Sequence, residues 1–322
     1  MPILKALAAA LAWLGRQGTR ALALSIFLGL AVPQLAAYVK PYLGETVFVL
    51  LLFSYLRTDP PALLRHVRSP VLAIGAALWV MLAVPLFFGA AYAFSGLRTG
   101  FPDLYTIMVL QIVIAPITSS AAFAAIMALD VEFTLLTLIL CSVLSPITTV
   151  AFSYLFLGAS LFSPIDLGIK IFFFYAGSGA VAFAIRRIVG QNWIERRKDH
   201  IDGLNVIAVF VFAIVAMESV PRHVMADPLF ATALLGLILL LSCLLIGVSM
   251  LVFLRAGAGA GMVIGMLASF RNIGLVMATL GAILPDTAWF YFGLVQFPIY
   301  LFPLVLKPLA GRLAPRAVNG SG

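Results

Sequence analysis

The residues best suited to binding chemistry lie in two polar interruptions of apolar stretches. The stretches read "LQIVIAPITSSAAFAAIMALD" and "GMVIGMLASFRNIGLVMATLG", and the polar residues are Thr118, Ser119 and Ser120, just after Pro116, and Ser269, Arg271 and Asn272. Hydroxyl and amide groups donate hydrogen bonds, and a guanidinium matches a carboxylate with two parallel bonds. The residue types therefore predict a site for a small anion.

Arg271 is the most costly of these residues, because an arginine at the centre of a membrane helix costs about 2.5–3.5 kcal/mol on insertion scales. Such a residue needs a partner inside the protein, and no acidic residue lies at comparable depth in the sequence. Two interpretations stay open. Arg271 snorkels or pairs with backbone carbonyls freed at a helix break, or its guanidinium anchors an anionic substrate.

Two amides are secondary candidates for a cavity lining, Gln111 and Gln296. A membrane amide also bonds to a neighbouring helix, so both interpretations remain open. Gly257, Gly261 and Gly265 recur at every fourth residue, which favours close helix packing over chemistry.

The composition decides what kind of element positions these residues. Of 322 residues, 63% are hydrophobic and 10% are charged, with a mean hydropathy of +1.14. Soluble domains have about 25% charged residues, so the chain is predicted to be an all-α integral membrane protein. The net charge of +8 indicates no nucleic-acid partner, because the basic residues lie in short loops, and the two cysteines lie in apolar runs and indicate no disulfide framework.

A membrane-spanning helix needs about 20 apolar residues. The predicted spans are 21–39, 46–57, 70–94, 104–129, 131–157, 165–186, 203–219, 229–254, 259–283 and 287–309. Residues 1–20 are predicted to form an N-terminal interfacial segment, and residues 313–322 a C-terminal tail.

Charge asymmetry predicts the orientation of these spans. The 20 Lys and Arg residues divide into fifteen on one side, four on the other (Lys40, Arg98, Lys170 and Arg222) and Arg271. The basic side of a membrane protein faces the cytoplasm. Both termini are therefore expected in the cytoplasm, with the protein in the inner membrane.

The spans also divide into two sets of five, residues 21–158 and 159–312. An odd number of spans per half inverts the second half relative to the first, and inverted repeats are typical of transporters. The fourth span of each half carries the polar interruption. Paired interruptions of this kind indicate a binding site near the membrane midplane.

The chain resembles the bile acid:sodium symporter family within a wider group that includes arsenite permeases. The resemblance is carried by "VFVLLLFSYLRTDPPALLRHVRSPVLAIG", by "APITSSAAFAAIMALDVEFTLLTLILCSVLSPITTVAF" and by "SFRNIGLVMATLG". It implies two inverted five-helix repeats. A panel domain (helices 1, 2, 6 and 7) would lie beside a core domain, in which broken helices four and nine cross at the substrate site.

The sequence departs from the family at the positions that the resemblance assigns to sodium. Ala121, Leu138 and Leu267 stand where the family has an amide, a hydroxyl and a carboxylate, although Thr134 matches a neighbouring hydroxyl ligand. Sodium needs several oxygen ligands. The usual sodium sites are therefore predicted to be lost, with no metal or other cofactor, and the charge of Arg271 would replace the lost cation.

Together these observations predict a secondary transporter that carries a small carboxylate by alternating access. The alternatives are an arsenite-type metalloid efflux permease, or a channel or sensor that keeps the transporter scaffold. An enzyme is not expected, because no His-Glu-x-x-His motif, Ser–His pairing or intramembrane acidic pair is present. The expected partners are the anionic substrate and the lipid bilayer. The oligomeric state stays open, with a monomer plausible.

Overall fold

The computed structural model describes residues 2–58 and 70–313, and this part of the chain is almost wholly helical. Helix accounts for 87% of the structure, with no strand in the described residues. Seven of the described helices are long and apolar enough to cross a membrane: Pro33–Arg57, Pro70–Phe94, Val131–Leu157, Pro164–Val189, Lys198–Ala226, Pro228–Val252 and Asp286–Gly311. The composition and these helices agree on a multi-pass membrane protein. Three of the fifteen basic residues on the predicted cytoplasmic side lie outside the described ranges, namely Arg65, Arg68 and Arg316.

The helices are numbered in chain order. They are α1 (Pro2–Arg16), α2 (Gly18–Ala31), α3 (Leu43–Arg57), α4 (Pro70–Phe94), α5 (Pro102–Val113), α6 (Ser120–Ile126), α7 (Val131–Leu157), α8 (Pro164–Val189), α9 (Lys198–Met217), α10 (Pro228–Val252), α11 (Ala258–Ser269), α12 (Ile273–Leu280) and α13 (Asp286–Leu313).

Several helix starts follow directly from capping residues in the sequence. The side chain of Asp130 accepts a hydrogen bond from the Phe133 amide at 2.8 Å at the start of α7, and Asp227 does the same for Phe230 at 2.9 Å at the start of α10. A carboxylate there satisfies an amide that the helix leaves unpaired and favours the positive end of its dipole. The start of α7 accordingly coincides with that of the predicted span 131–157. The bounds of α4 also match a predicted span, 70–94.

The predicted first span, 21–39, is wrong at its end. Helix α2 stops at Ala31, because Val32 leaves the helical conformation with φ −130° and Pro33 follows it. A proline restricts the residue before it and lacks the amide that a continuing helix needs. The apolar segment that follows begins at Pro33 rather than at residue 46, and it continues to Arg57.

The glycine repeat lies where α11 meets α10. A Cβ added to Gly261 would lie 3.1 Å from the Met250 Cα, and one added to Gly265 would lie 2.8 Å from the Ile246 Cα. Close packing is thus confirmed for these two residues. Gly257 differs, because it precedes α11 with φ +96° and has open space around it.

Candidate functional site

The two polar interruptions cross each other in space. Helix α5 ends at Val113 and α6 begins at Ser120, while α11 ends at Ser269 and α12 begins at Ile273. The non-helical residues between them form an antiparallel bridge between Pro116 and Arg271. In this bridge the Ile117 amide donates to the Phe270 carbonyl at 2.8 Å, and the Asn272 amide donates to the Ala115 carbonyl at 2.9 Å. We call these two segments, residues 114–119 and 270–272, the crossover.

Arg271 is fully buried at the crossover and its guanidinium bonds to three backbone carbonyls. Nε donates to the Ala268 oxygen at 2.8 Å, Nη1 to the Ile114 oxygen at 2.9 Å and Nη2 to the Val80 oxygen at 2.8 Å. Nη1 also lies 3.7 Å from the Met81 sulfur. The carbonyls belong to three different segments, so one side chain connects α4, α11 and the end of α5.

The Val80 carbonyl is free because of a π-helical turn in α4. Residues Trp79–Ala83 form this turn, and the Val84 amide bonds to the Trp79 oxygen instead of the Val80 oxygen. The next residue that could serve Val80 is Pro85, which has no amide hydrogen. A carbonyl orphaned inside the membrane costs several kcal/mol unless it finds another donor. Arg271 supplies that donor.

The carbonyls of Ile114 and Ala268 are free because the helices end beside them. Ile114 follows the last residue of α5, and the amide that would serve Ala268, that of Asn272, bonds across the crossover instead. Helix ends leave their last carbonyls without intrahelical partners. Arg271 therefore satisfies one orphaned carbonyl on each side of the crossover.

Helix α7 bonds to the first segment of the crossover and to the end of α5 through two hydroxyl groups. The hydroxyl of Ser145 accepts from the Ala115 amide at 3.2 Å, and the hydroxyl of Thr149 donates to the Val113 carbonyl at 3.0 Å. Both hydroxyls are buried. With Arg271, they satisfy the Val113 and Ile114 carbonyls and the Ala115 amide at the end of α5.

A cavity of about 600 Å³ lies in front of the crossover. Thr118, Ser119 and Asn272 line its inner end, with apolar side chains of α3, α6 and α9 along its walls. On α9 the lining extends from Lys198 to Phe212, which is about 20 Å along a helix. The cavity thus connects the crossover to the ends of α3 and α9.

Charged side chains line the mouth of this cavity. Arg57 Nε lies 3.4 Å from Asp202 Oδ1, and Lys198 adds a second positive charge. The described lining therefore carries one positive charge in excess. The charge of Arg271 lies immediately behind the lining residue Asn272.

The predicted site residues divide into two groups. Thr118, Ser119 and Asn272 line the cavity, and the side chain of Asn272 also accepts from the Leu275 amide at 3.3 Å. Ser120 and Ser269 are buried and are not among the lining residues. Ser120 Oγ donates to the Ile117 carbonyl at 2.7 Å.

Ser269 Oγ is buried, and among the residues described it has no hydrogen-bond partner. Arg271 is likewise absent from the described lining. Its pairing with carbonyls is the first of the two interpretations of the sequence, and direct contact with a substrate stays a prediction.

The secondary candidates bond within the protein. Gln111 Oε1 accepts a hydrogen bond from the Tyr291 hydroxyl of α13, which is the neighbouring-helix role. Gln296 Nε2 donates to the Phe292 carbonyl of its own helix at 3.0 Å, and Thr134 Oγ1 donates to the Asp130 carbonyl at 2.6 Å. None of the three is among the lining residues in the described part of the chain.

The positions that the resemblance assigns to sodium ligands are either buried among apolar side chains or part of the cavity wall. Leu138 and Leu267 are buried in the hydrophobic core, and Ala121 lines the cavity. In residues 2–58 and 70–313, no group of three or more His, Cys, Asp or Glu side chains forms a metal site.

Sequence reasoning missed the cavity mouth. Arg57 and Lys198 were interpretable only as orientation signals, and Asp202 and Asn205 had no assigned role. These residues come from the ends of helices far apart in the chain, so no local spacing reveals them. Comparison with models of known protein families gives no match, and comparison with curated proteins gives no significant match either.

Proposed function

We propose that the chain is a secondary transporter of a small organic anion that works by alternating access. The observation that carries this proposal is the crossover of two non-helical segments at the inner end of a cavity. Interrupted membrane helices that meet at one point offer free backbone groups to a solute, and such sites recur in secondary transporters.

The proposal includes ten membrane spans in two inverted five-helix repeats. It adds to the seven long helices the shorter α2 and the two interrupted spans, α5 with α6 and α11 with α12. Each interrupted pair is then the fourth span of its half, which is the correspondence that an inverted repeat predicts. In this arrangement α2, α3, α8 and α9 form the panel, and the remaining spans form the core.

The cavity lining supports an organic anion as the solute. Its walls are mostly apolar, with hydroxyl and amide groups at the crossover and an excess positive charge at the mouth. Binding sites for small molecules combine apolar walls with a few placed polar groups. A short carboxylate with an apolar body matches these features.

Contacts at the opposite ends of the same helices support alternating access. Lys40 Nζ lies 2.6 Å from Glu218 Oε2 and 4.0 Å from the centre of the Trp289 ring. Lys170 Nζ donates to the Thr279 carbonyl at 3.2 Å, and Arg222 pairs with Asp286. We call these contacts the outer seal. Apart from the Lys40–Glu218 pair, which lies within the panel, they join panel to core. They lie at the end away from the cavity mouth, and the charge bias assigns the mouth to the cytoplasm.

The resemblance to the bile acid:sodium symporter family belongs to this proposal, without coupling through the usual sodium positions. Metalloid efflux has less support, because Cys141 is buried and Cys243 is exposed, and neither belongs to the cavity lining. Counterflow distinguishes a carrier from a channel that keeps the scaffold.

The test is counterflow in liposomes that contain the purified protein. Liposomes loaded with one unlabelled short carboxylate should accumulate the labelled form transiently, and a panel of carboxylates of increasing chain length defines the preference. Ser119→Ala should weaken counterflow, because it removes a lining hydroxyl. A carboxylate current without counterflow would favour the channel, and neither signal with any carboxylate would contradict the proposal.

A further inference from the structure

The three carbonyl oxygens that surround the Arg271 guanidinium resemble a cation site in both origin and position. Two of them, on Ile114 and Ala268, lie at the C-terminal ends of α5 and α11. The third, on Val80, is freed by the π-helical turn of α4. Carbonyl oxygens are the ligands that hard monovalent cations use in membrane proteins.

The helix dipoles strengthen this resemblance. Each helix C-terminus carries about half a negative charge, and two such ends meet at the crossover. In carriers with interrupted helices, freed carbonyls and half-helix C-termini hold the coupling cation, whereas half-helix N-termini face an anionic solute. The guanidinium of Arg271 therefore lies where general physics places a cation.

The guanidinium has no carboxylate among the hydrogen-bond partners that the described residues provide. Its partners are three neutral carbonyls and the Met81 sulfur. A carboxylate partner would neutralise the charge of a structural arginine at this depth. Here the positive charge stays in place and its field extends to the cavity, whose wall begins at Asn272.

We propose that Arg271 is a tethered cation that permanently occupies a carbonyl cation site at the crossover. The occupancy itself is independent of transport, whereas its consequence for energy coupling depends on the function proposed above. A carrier whose cation is covalently fixed takes up no soluble cation through this site. It then works as a uniporter or an exchanger, and uptake of a monoanion alone carries a net negative charge.

The test measures thermal unfolding of the purified protein in detergent, with sodium, choline or methylguanidinium chloride at constant ionic strength. The wild type should respond equally to all three. Arg271→Ala empties the site and should unfold roughly 5–10 °C lower, because several charged hydrogen bonds are lost from a chain of this size. Millimolar methylguanidinium, far below denaturing concentrations, should restore much of this loss in a saturable way, and choline should not.

Arg186 offers a matched control. Its Nη2 also donates to three carbonyls, those of Tyr55, Leu56 and Thr58 at 3.0, 3.3 and 2.8 Å, but at one partly exposed helix end. Water can replace a side chain there. Arg186→Ala should therefore show no specific response to methylguanidinium.

The inference is overturned if Arg271→Ala responds to no small cation, or responds no more than Arg186→Ala. Specific stabilisation of the wild type by sodium would reveal a second, exchangeable site, and it would overturn the inferred lack of cation coupling. If Arg271→Ala does not fold, Arg271→Lys and Arg271→Gln replace it. Lys keeps the charge and Gln keeps N–H donors, so Lys should unfold at the higher temperature, and the reverse order rejects a cation site. Counterflow is measured separately, so a protein that shows cation rescue without carrying a solute contradicts only the proposed function.

Discussion

Removing the charge of Lys40 should open the outer seal. Lys40 contacts Glu218 and the Trp289 ring, and about one third of each ionic side chain is exposed, 35% and 32%. Lys40 and Glu218 both belong to the proposed panel, so outward opening breaks mainly the contact with Trp289 of the core. Lys40→Met keeps an apolar stem over the ring and deletes only the charge.

The expected magnitude follows from that geometry. A cation–π contact contributes about 0.5–1 kcal/mol when exposed and about 2 kcal/mol when desolvated. Partial exposure places Lys40 near 1 kcal/mol, which is about a fivefold change in an equilibrium constant. The Arg222–Asp286 pair is more exposed, at 66% and 59%, and should contribute less. Lys40 is therefore the contact whose loss should be measurable.

The assay is the labelling rate of a single cysteine at Ser119 by a membrane-impermeant maleimide added from outside. The background replaces Cys141 and Cys243, one buried and one exposed, so that only the cavity reacts. Lys40→Met should raise the outside rate about fivefold, and Arg98→Met, which removes an exposed charge from the same side, should leave it unchanged. If the cysteine at position 119 is labelled from outside at the same rate in Lys40→Met as in the protein with Lys40, the reasoning is refuted.

Three further predictions concern topology, the cavity and coupling. Single cysteines at Arg98 and Arg197 should label from opposite sides of the membrane, and labelling from the same side would exclude the ten-span arrangement. Ala122→Trp should abolish counterflow while the protein still purifies as a folded species, because residue 122 lines the cavity and a large side chain fills it. Replacing sodium with choline at constant ionic strength should leave counterflow rates unchanged, and a saturable sodium dependence would mean that other oxygens rebuild a sodium site.

Local signals in the sequence predict the individual helices well. Pro70 and Asp130 mark the starts of α4 and α7, because a proline and a capping carboxylate each act on backbone groups only a few residues away. The same locality explains the error at the first span, where apolar residues continue past the point at which Val32 and Pro33 end α2. Hydropathy reports burial in lipid, and it does not report where a helix bends.

The site was predictable only in part, for a similar reason. Thr118, Ser119 and Asn272 could be identified because polar residues are rare in apolar spans. The partners of Arg271 could not, because they depend on which segments cross and in what register. One local signal was present, because Pro85 has no amide for a carbonyl one turn earlier. The π-helical turn, which the sequence does not show, decides that this carbonyl is that of Val80.

The two interpretations of Arg271 are less opposed than the sequence alone indicates. Insertion of a central arginine costs about 2.5–3.5 kcal/mol, whereas a hydrogen bond to a charged group contributes about 1.5–3 kcal/mol. Three such bonds, to Ala268, Ile114 and Val80, offset the cost and leave the arginine stable at the crossover. The bonding groups carry no formal charge, and the helix C-termini to which two of them belong offset only part of the guanidinium charge.

The charge that remains acts on the cavity without touching its occupant. At an effective dielectric constant of about 20, two unit charges interact by about 4 kcal/mol at about 4 Å and by about 2 kcal/mol at twice that separation. This is comparable with a direct charged hydrogen bond. Arg271 can therefore hold the crossover together by contact and favour an anion at Thr118 and Ser119 by its field. Pairing with carbonyls thus does not oppose an anionic substrate, since carbonyl partners carry no formal charge and offset the field less than a carboxylate would.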